Sequence, residues 1–230
     1  MVDIIRAIKR PFTDFKKLGI GVLIYLVTLI PFIGWLASFF ITGYGLECAK
    51  TAMKKNYKLP EWTDLGNLWI KGFLYFLIGL IYMIPLAFIG AFTIGSALIK
   101  NWALVAAPNP DPIALAAAFG GTGGVLLLLF LVMIITFYIF PMAIMRFAES
   151  GKFGDAFNFR EVFRKAFTSK YFVAVLLLWV YGFVLVIVAS LLYLITAITI
   201  ILPLIITMVL SFVIMITSMT VFGEVYSELE

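Results

Sequence analysis

Between Tyr171 and Phe222 lie 52 consecutive residues without one formally charged side chain, and this run constrains the chain more than any other feature. A membrane-crossing helix takes about 20 apolar residues, so the run holds enough for two. Pro203, close to Thr196 and Thr199, marks the division, because proline lacks a backbone donor and disfavours helix at the residue before it. One helix is expected from Tyr171 to about Ile195 and another from about Ile200 to Phe222. Apolar runs recur through all 230 residues, which are 64% hydrophobic and 13% charged with mean hydropathy +1.14. Soluble domains carry about 25% charged residues. No stretch is left over for a soluble domain, so residues 1–230 are expected to form one all-α, polytopic membrane domain.

The charges that remain set the topology. Of the 17 Lys and Arg residues, 16 fall in three clusters: Arg6, Lys9, Arg10, Lys16 and Lys17; then Lys50, Lys54, Lys55, Lys58 and Lys71; then Arg146, Lys152, Arg160, Arg164, Lys165 and Lys170. The positive-inside rule puts all three on the cytoplasmic side. Each apolar stretch between them must then cross and return, giving three hairpins, or about six membrane helices, with both termini cytoplasmic in the cell membrane. Gly72 to about Gly90 and Gly123 to Met145 make the second hairpin. They are joined outside by a segment containing Lys100, the turn-rich run Pro108 to Pro112 and the glycines of Gly120 to Gly124. Leu18 to Leu46 is harder, since one straight helix of 29 residues would extend about 43 Å across a core of roughly 30 Å. A bend at Pro31-Phe32-Ile33-Gly34 keeps the first two clusters on one side, with arms short enough to be re-entrant. The acidic end with Glu224, Glu228 and Glu230 then returns to the cytoplasm as a solvated tail.

Before each hairpin lies a segment readable as an amphipathic helix in the membrane plane: Ile5 to Phe15, interrupted by Pro11; Leu59 to Trp69; and Phe157 to Phe167. Each reaches a lysine at the membrane boundary: Lys17, Lys71 and Lys170. The pattern suggests repeat units 1–55, 56–150 and 151–230; the alternative is that any multi-pass protein carries Lys and aromatic residues at its interfaces. Arg6, Lys9, Arg10, Lys17, Lys71, Arg160, Arg164, Lys165 and Lys170 are candidate contacts for anionic lipid headgroups.

Catalytic chemistry finds little support. There is no histidine and a single cysteine, Cys48, so no cofactor or metal set is expected. Basic residues that flank apolar spans argue for lipid and against nucleic acid as partner. Ionisable groups inside a bilayer would mark a functional site, and the best candidate is Glu47 at the membrane boundary, three residues before Lys50. Its simpler reading is a boundary carboxylate paired with Lys50 or solvated. Ser96 and Lys100 share a helical face but have no orienting third group, and Thr207, Ser211 and Ser218 suit interhelical packing.

Leu59-Pro60-Glu61-Trp62 with Asp64, Gly66 and Gly72 resembles a motif of an uncharacterised prokaryotic, largely archaeal, membrane-protein family, domain of unknown function 4013. Ile30 to Gly34 and Gly151-Lys152-Phe153-Gly154-Asp155-Ala156-Phe157 are similar to other parts of its pattern. The resemblance implies a multi-pass membrane protein and supplies no catalytic residue. Physically, Pro60 suits a first helical turn, Glu61 and Asp64 its positive N-terminal dipole, and Trp62 the headgroup level. The expected role is a non-enzymatic membrane scaffold or lipid-interacting protein; the alternative is a small-molecule or lipid transporter working between the hairpins.

Overall fold

A computed structural model describes residues 3–109, 111–120, 123–196, 199 and 201–229. Among them every regular element is helical: α1 (Ile4–Lys9), a 3-10 turn (Arg10–Thr13), α2 (Phe15–Val27), α3 (Ile33–Met53), α4 (Leu65–Lys100), α5 (Trp102–Val105), α6 (Pro112–Gly120), α7 (Gly123–Ser150), a second 3-10 turn (Phe153–Phe157), α8 (Phe159–Ala166), α9 (Ser169–Thr196) and α10 (Ile201–Glu228). Four of these, α4, α7, α9 and α10, are long and apolar enough to cross a membrane, as a multi-pass membrane protein requires. Along α9 only Tyr171 and Ala174 are buried, while Trp179, Phe183 and Leu194 stand exposed. Such a continuous apolar surface is tolerated in hydrocarbon and not in water.

The chain divides into two compact units, Met1–Ile78 with Pro141–Glu230, and Gly79–Phe140. In the smaller unit Tyr82 meets Phe140 edge to face, with ring centroids 5.8 Å apart, and the hydroxyl of Thr136 donates to the carbonyl of Val132 one turn back. Ser96 donates to the carbonyl of Thr93 and Lys100 is exposed, which gives neither one the nucleophile-and-base pairing their spacing allowed.

The larger unit is built around α3. Ala37, Phe39, Ile41, Tyr44, Leu46, Cys48, Ala49 and Ala52 are all buried, spread around more than one face of the helix, as expected of one packed against several neighbours. Glycine makes the close approaches possible. A Cβ on Gly43 would overlap the carbonyl of Leu68, one on Gly72 the carbonyl of Phe39, and one on Gly223 would press on the carbonyl of Ala49, so α4 and α10 lie backbone to backbone on α3.

Several expectations change here. The bend falls where Pro31 placed it: α2 ends at Val27 and Phe32 adopts a left-handed φ of 63° before α3 starts. But α2 has 13 residues, about 20 Å, and α3 runs past Leu46 to Met53, carrying Glu47 and Lys50 as helical side chains. Length and composition therefore qualify four helices as spans. Residues 54–64 are not helical, so the second segment begins as a loop. Pro85 and Pro141 sit inside α4 and α7, and the long helices run beyond the expected limits. Glu224 lies within α10 and is 7% exposed, not in a solvated tail. Pro110 of the turn-rich run, Gly121 and Thr122 of the glycine run, Ile200 at the expected helix start, and Glu230 lie outside the described residues.

Candidate functional site

The three basic clusters, far apart in sequence, meet at one end of the larger unit, where α2, α4 and α9 begin and α3, α7 and α10 end. Arg10 is the centre of this junction. Asp3 caps α1 by accepting from the backbone of Arg6 at 3.0 Å, and Pro11 then converts the chain to a 3-10 turn that points Arg10 inward, 1% exposed. Its Nη1 donates to the Cys48 carbonyl and to Thr220 Oγ1, both at 2.8 Å. Its Nη2 donates to Thr51 Oγ1 at 2.6 Å and to the Lys58 carbonyl at 3.0 Å. Both hydroxyls pass the interaction on, Thr51 donating to Glu47 O and Thr220 to Ile216 O. Burial lowers the guanidinium's pKa from its ordinary value, yet an arginine stays charged in proteins. One cation thus ties α3, α10 and the 54–64 loop to the N-terminal segment.

Lys17, at the start of α2, holds the same loop from the other side. Its ammonium donates to the Leu59 carbonyl at 2.8 Å and pairs with Glu61 at 2.6 Å and Asp14 at 3.5 Å. The Glu61 bond raises the pKa of Lys17, while the Lys17 backbone N–H lowers that of Asp14. Trp62 donates through Nε1 to the Lys17 carbonyl at 3.2 Å and stacks on Tyr44, with centroids 3.9 Å apart and planes within 5°. The Tyr44 hydroxyl donates to the Pro60 carbonyl, and Leu59 packs with Tyr44, Cys48, Leu68, Phe212 and Ile216. The Leu59-Pro60-Glu61-Trp62 motif is accordingly an inward-packed loop. Trp62 faces the core rather than the headgroup level, because stacking on Tyr44 and a hydrogen bond satisfy both halves of the indole. Asp64, not Pro60, marks the helix start, accepting from the backbone of Asn67.

A third group surrounds Tyr226. Its hydroxyl donates to Glu149 at 3.0 Å, Arg146 pairs with Glu149 at 3.3 Å, and the Lys165 ammonium lies 3.5 Å from the Tyr226 ring centroid. Between this group and Arg10, Glu47 pairs with Lys71 across α3 and α4, instead of with Lys50. Lys170 reaches Glu228 at 3.4 Å.

The candidate lipid contacts therefore separate into three sets. Arg6, Lys9, Arg160, Arg164 and Lys170 are exposed; Lys17 and Lys71 are half-buried in ion pairs; Arg10 and Lys165 are buried, with donors directed into the protein. On α8 the buried face is Val162, Lys165 and Ala166, which leaves Phe159, Phe163 and Phe167 outward beside Arg160 and Arg164. Sequence reasoning missed the partners on α10. Thr217, Thr220 and Glu224 recur three and four residues apart on an apolar helix, a polar stripe that could have been found by its period. Among the described residues no three Cys, Asp or Glu side chains converge as metal ligands would.

The model of the family described as protein of unknown function (DUF4013) matches residues 23–194, which include the Leu59 to Trp62 loop and leave out Arg10, Lys17 and α10. No curated protein and no solved structure matches the chain.

Proposed function

The chain belongs to the DUF4013 family, and from that premise we propose that it is a non-enzymatic multi-pass protein of the cell membrane whose charged end engages the anionic cytoplasmic leaflet. Both termini lie on that side, and α1 and α8 rest at the headgroup boundary as amphipathic helices. The observation that carries this reading is the pairing of surfaces on α8: Arg160 and Arg164 are exposed beside three exposed phenylalanines, Phe159, Phe163 and Phe167. That combination suits a headgroup boundary, where rings enter the acyl edge and guanidinium groups meet phosphates. Arg6, Lys9, Phe12 and Phe15 offer a second such surface at the N-terminal end.

Each basic group near an anionic surface contributes about 1 kcal/mol. Replacing Arg160, Arg164 and Lys170 together by Gln should therefore reduce the preference for anionic over neutral lipid, measured by lipid co-purification, while leaving the helical content and melting temperature of the protein in place. An unchanged preference in the folded triple variant, or saturable solute flux through liposomes carrying the wild-type protein, would replace this reading with a transporter working between helical hairpins.

A further inference from the structure

Lys50, near the end of α3, carries a charge that no group of the fold answers among the described residues. Its side chain is half-buried, yet it makes no hydrogen bond or ion pair there. The carboxylates around it are already engaged: Glu47 with Lys71, and Glu149 with Arg146 and the Tyr226 hydroxyl. An ammonium group carries three donors, and withdrawing it from water without partners is costly. Lys50 also lines two adjoining recesses. One, of about 160 Å³, lies between the ends of α3 and α7 and the start of α4; the other, of about 210 Å³, is shared with Lys54, Tyr226 and Ser227.

The first recess is graded along the helix axes. Toward the helix ends it presents Lys50, Asn67 and Lys71; about one turn deeper it presents Leu46, Leu74 and Phe147. Two ammonium groups against the single carboxylate of Glu47 leave it one positive charge in excess. Its volume of about 160 Å³ leaves room for a phosphate and the glycerol carbons attached to it. A diacyl lipid's chains must lie outside.

We propose that this recess binds the phosphodiester of one anionic phospholipid, Lys50 donating to a non-bridging oxygen and the glycerol lying against Leu46, Leu74 and Phe147. The inference rests on the lipid-engaging reading above, and deepens it from a diffuse surface to a discrete site. Asn67 is exposed at the rim with an amide free to donate, and Lys71, held by Glu47, keeps two further N–H groups for the same phosphate. Enclosure in a recess distinguishes this site from the open platform of α8.

Native mass spectrometry of the full chain, purified with phosphatidylglycerol and phosphatidylcholine in equal amounts, tests the site. The wild type should retain one phosphatidylglycerol. Lys50→Met keeps the aliphatic stem and should weaken that retention about tenfold, with Lys50→Arg restoring most of it. The Gln triple variant of Arg160, Arg164 and Lys170 should keep the single bound lipid, and Lys50→Met should keep the bulk anionic preference, so the two proposals fail separately. Equal retention in Lys50→Met and wild type overturns the site, as does displacement of the lipid by millimolar inorganic phosphate, which would mark it as a free-phosphate site. Failure of Lys50→Met to fold overturns it too, because an ammonium without protein partners has no bond to lose.

Discussion

At the residue scale, Arg10 shows how a charge assigned to a membrane surface can belong to the interior. Two carbonyls and two hydroxyls from three parts of the chain converge on its guanidinium, and a buried acceptor left without its donor costs about 1–3 kcal/mol. Arg10→Met should destabilise the protein by about 3 kcal/mol, and Arg10→Lys should recover less than half, since an ammonium cannot span four acceptors arranged for a fork. Thermal unfolding in detergent measures both; a melting temperature unmoved in Arg10→Met would show that the junction holds nothing together. The Lys17 clamp gives a pH expectation with a definite sign. Asp14 has a folded pKa below its ordinary 3.8, so its contribution is present above that value and fades as pH falls through the lower one. Lys17 has a folded pKa above 10.5, so its contribution is complete below that value and is lost as pH rises through the higher one. Stability should be flat in these groups between about pH 5 and 10. The Asp14 and Glu61 carboxylates of these pairs reach solvent, which keeps the amplitude small. Asp14→Asn should abolish the acid-side change alone, followed by Trp fluorescence of the stacked Trp62.

At the element scale, α3 is held by contact between backbones. Gly43 and Gly72 interlock α3 with α4, each lying against a carbonyl of the other helix. Alanine at either position must push the helices apart along their length, and should cost at least about 2 kcal/mol, in the range of overpacked cores. Gly66, near the start of α4, has nothing within 4 Å of its would-be Cβ. Alanine there should stabilise by up to about 1 kcal/mol through helix propensity. Denaturant titration of the two sets of variants compares them directly, and similar effects at Gly66 and Gly43 would contradict the backbone-contact account. The same packing explains why the second amphipathic segment is a loop. Tyr44, Phe212 and Lys17 offer Leu59, Trp62 and Glu61 partners that a surface helix from Leu59 would have forfeited.

At the scale of the whole molecule, hydrogen bonds and ion pairs link all three basic clusters at one end of the larger unit. Single cysteines at Asn56, Lys152 and Ser227, introduced into a Cys48→Ser protein, should therefore react from the same side of oriented vesicles, the cytoplasmic side by the positive-inside rule. Labelling of position 56 from the opposite side to 152 would be incompatible with the Arg10 and Lys17 contacts. The bend near Pro31 and the membrane character of α9 and α10 were legible, because proline and uninterrupted apolar length act locally. So was the grouping of basic residues, since their sequence positions bracket the apolar runs.

What the amino-acid sequence determined by itself is what depends on neighbouring residues: apolar length, the break near Pro31, and the bracketing of apolar runs by basic residues, each governed by transfer of the segment between water and hydrocarbon. Only the tertiary structure decided which charges face outward. Arg10 and Arg6 share a short segment, yet one is buried among Cys48, Thr51, Lys58 and Thr220 while the other is exposed; Lys165 and Arg164 are adjacent and divide in the same way. A charge enters the interior when distant parts of the chain supply enough acceptors to offset its desolvation, and those acceptors lie up to 210 residues away in sequence, beyond the reach of any local pattern.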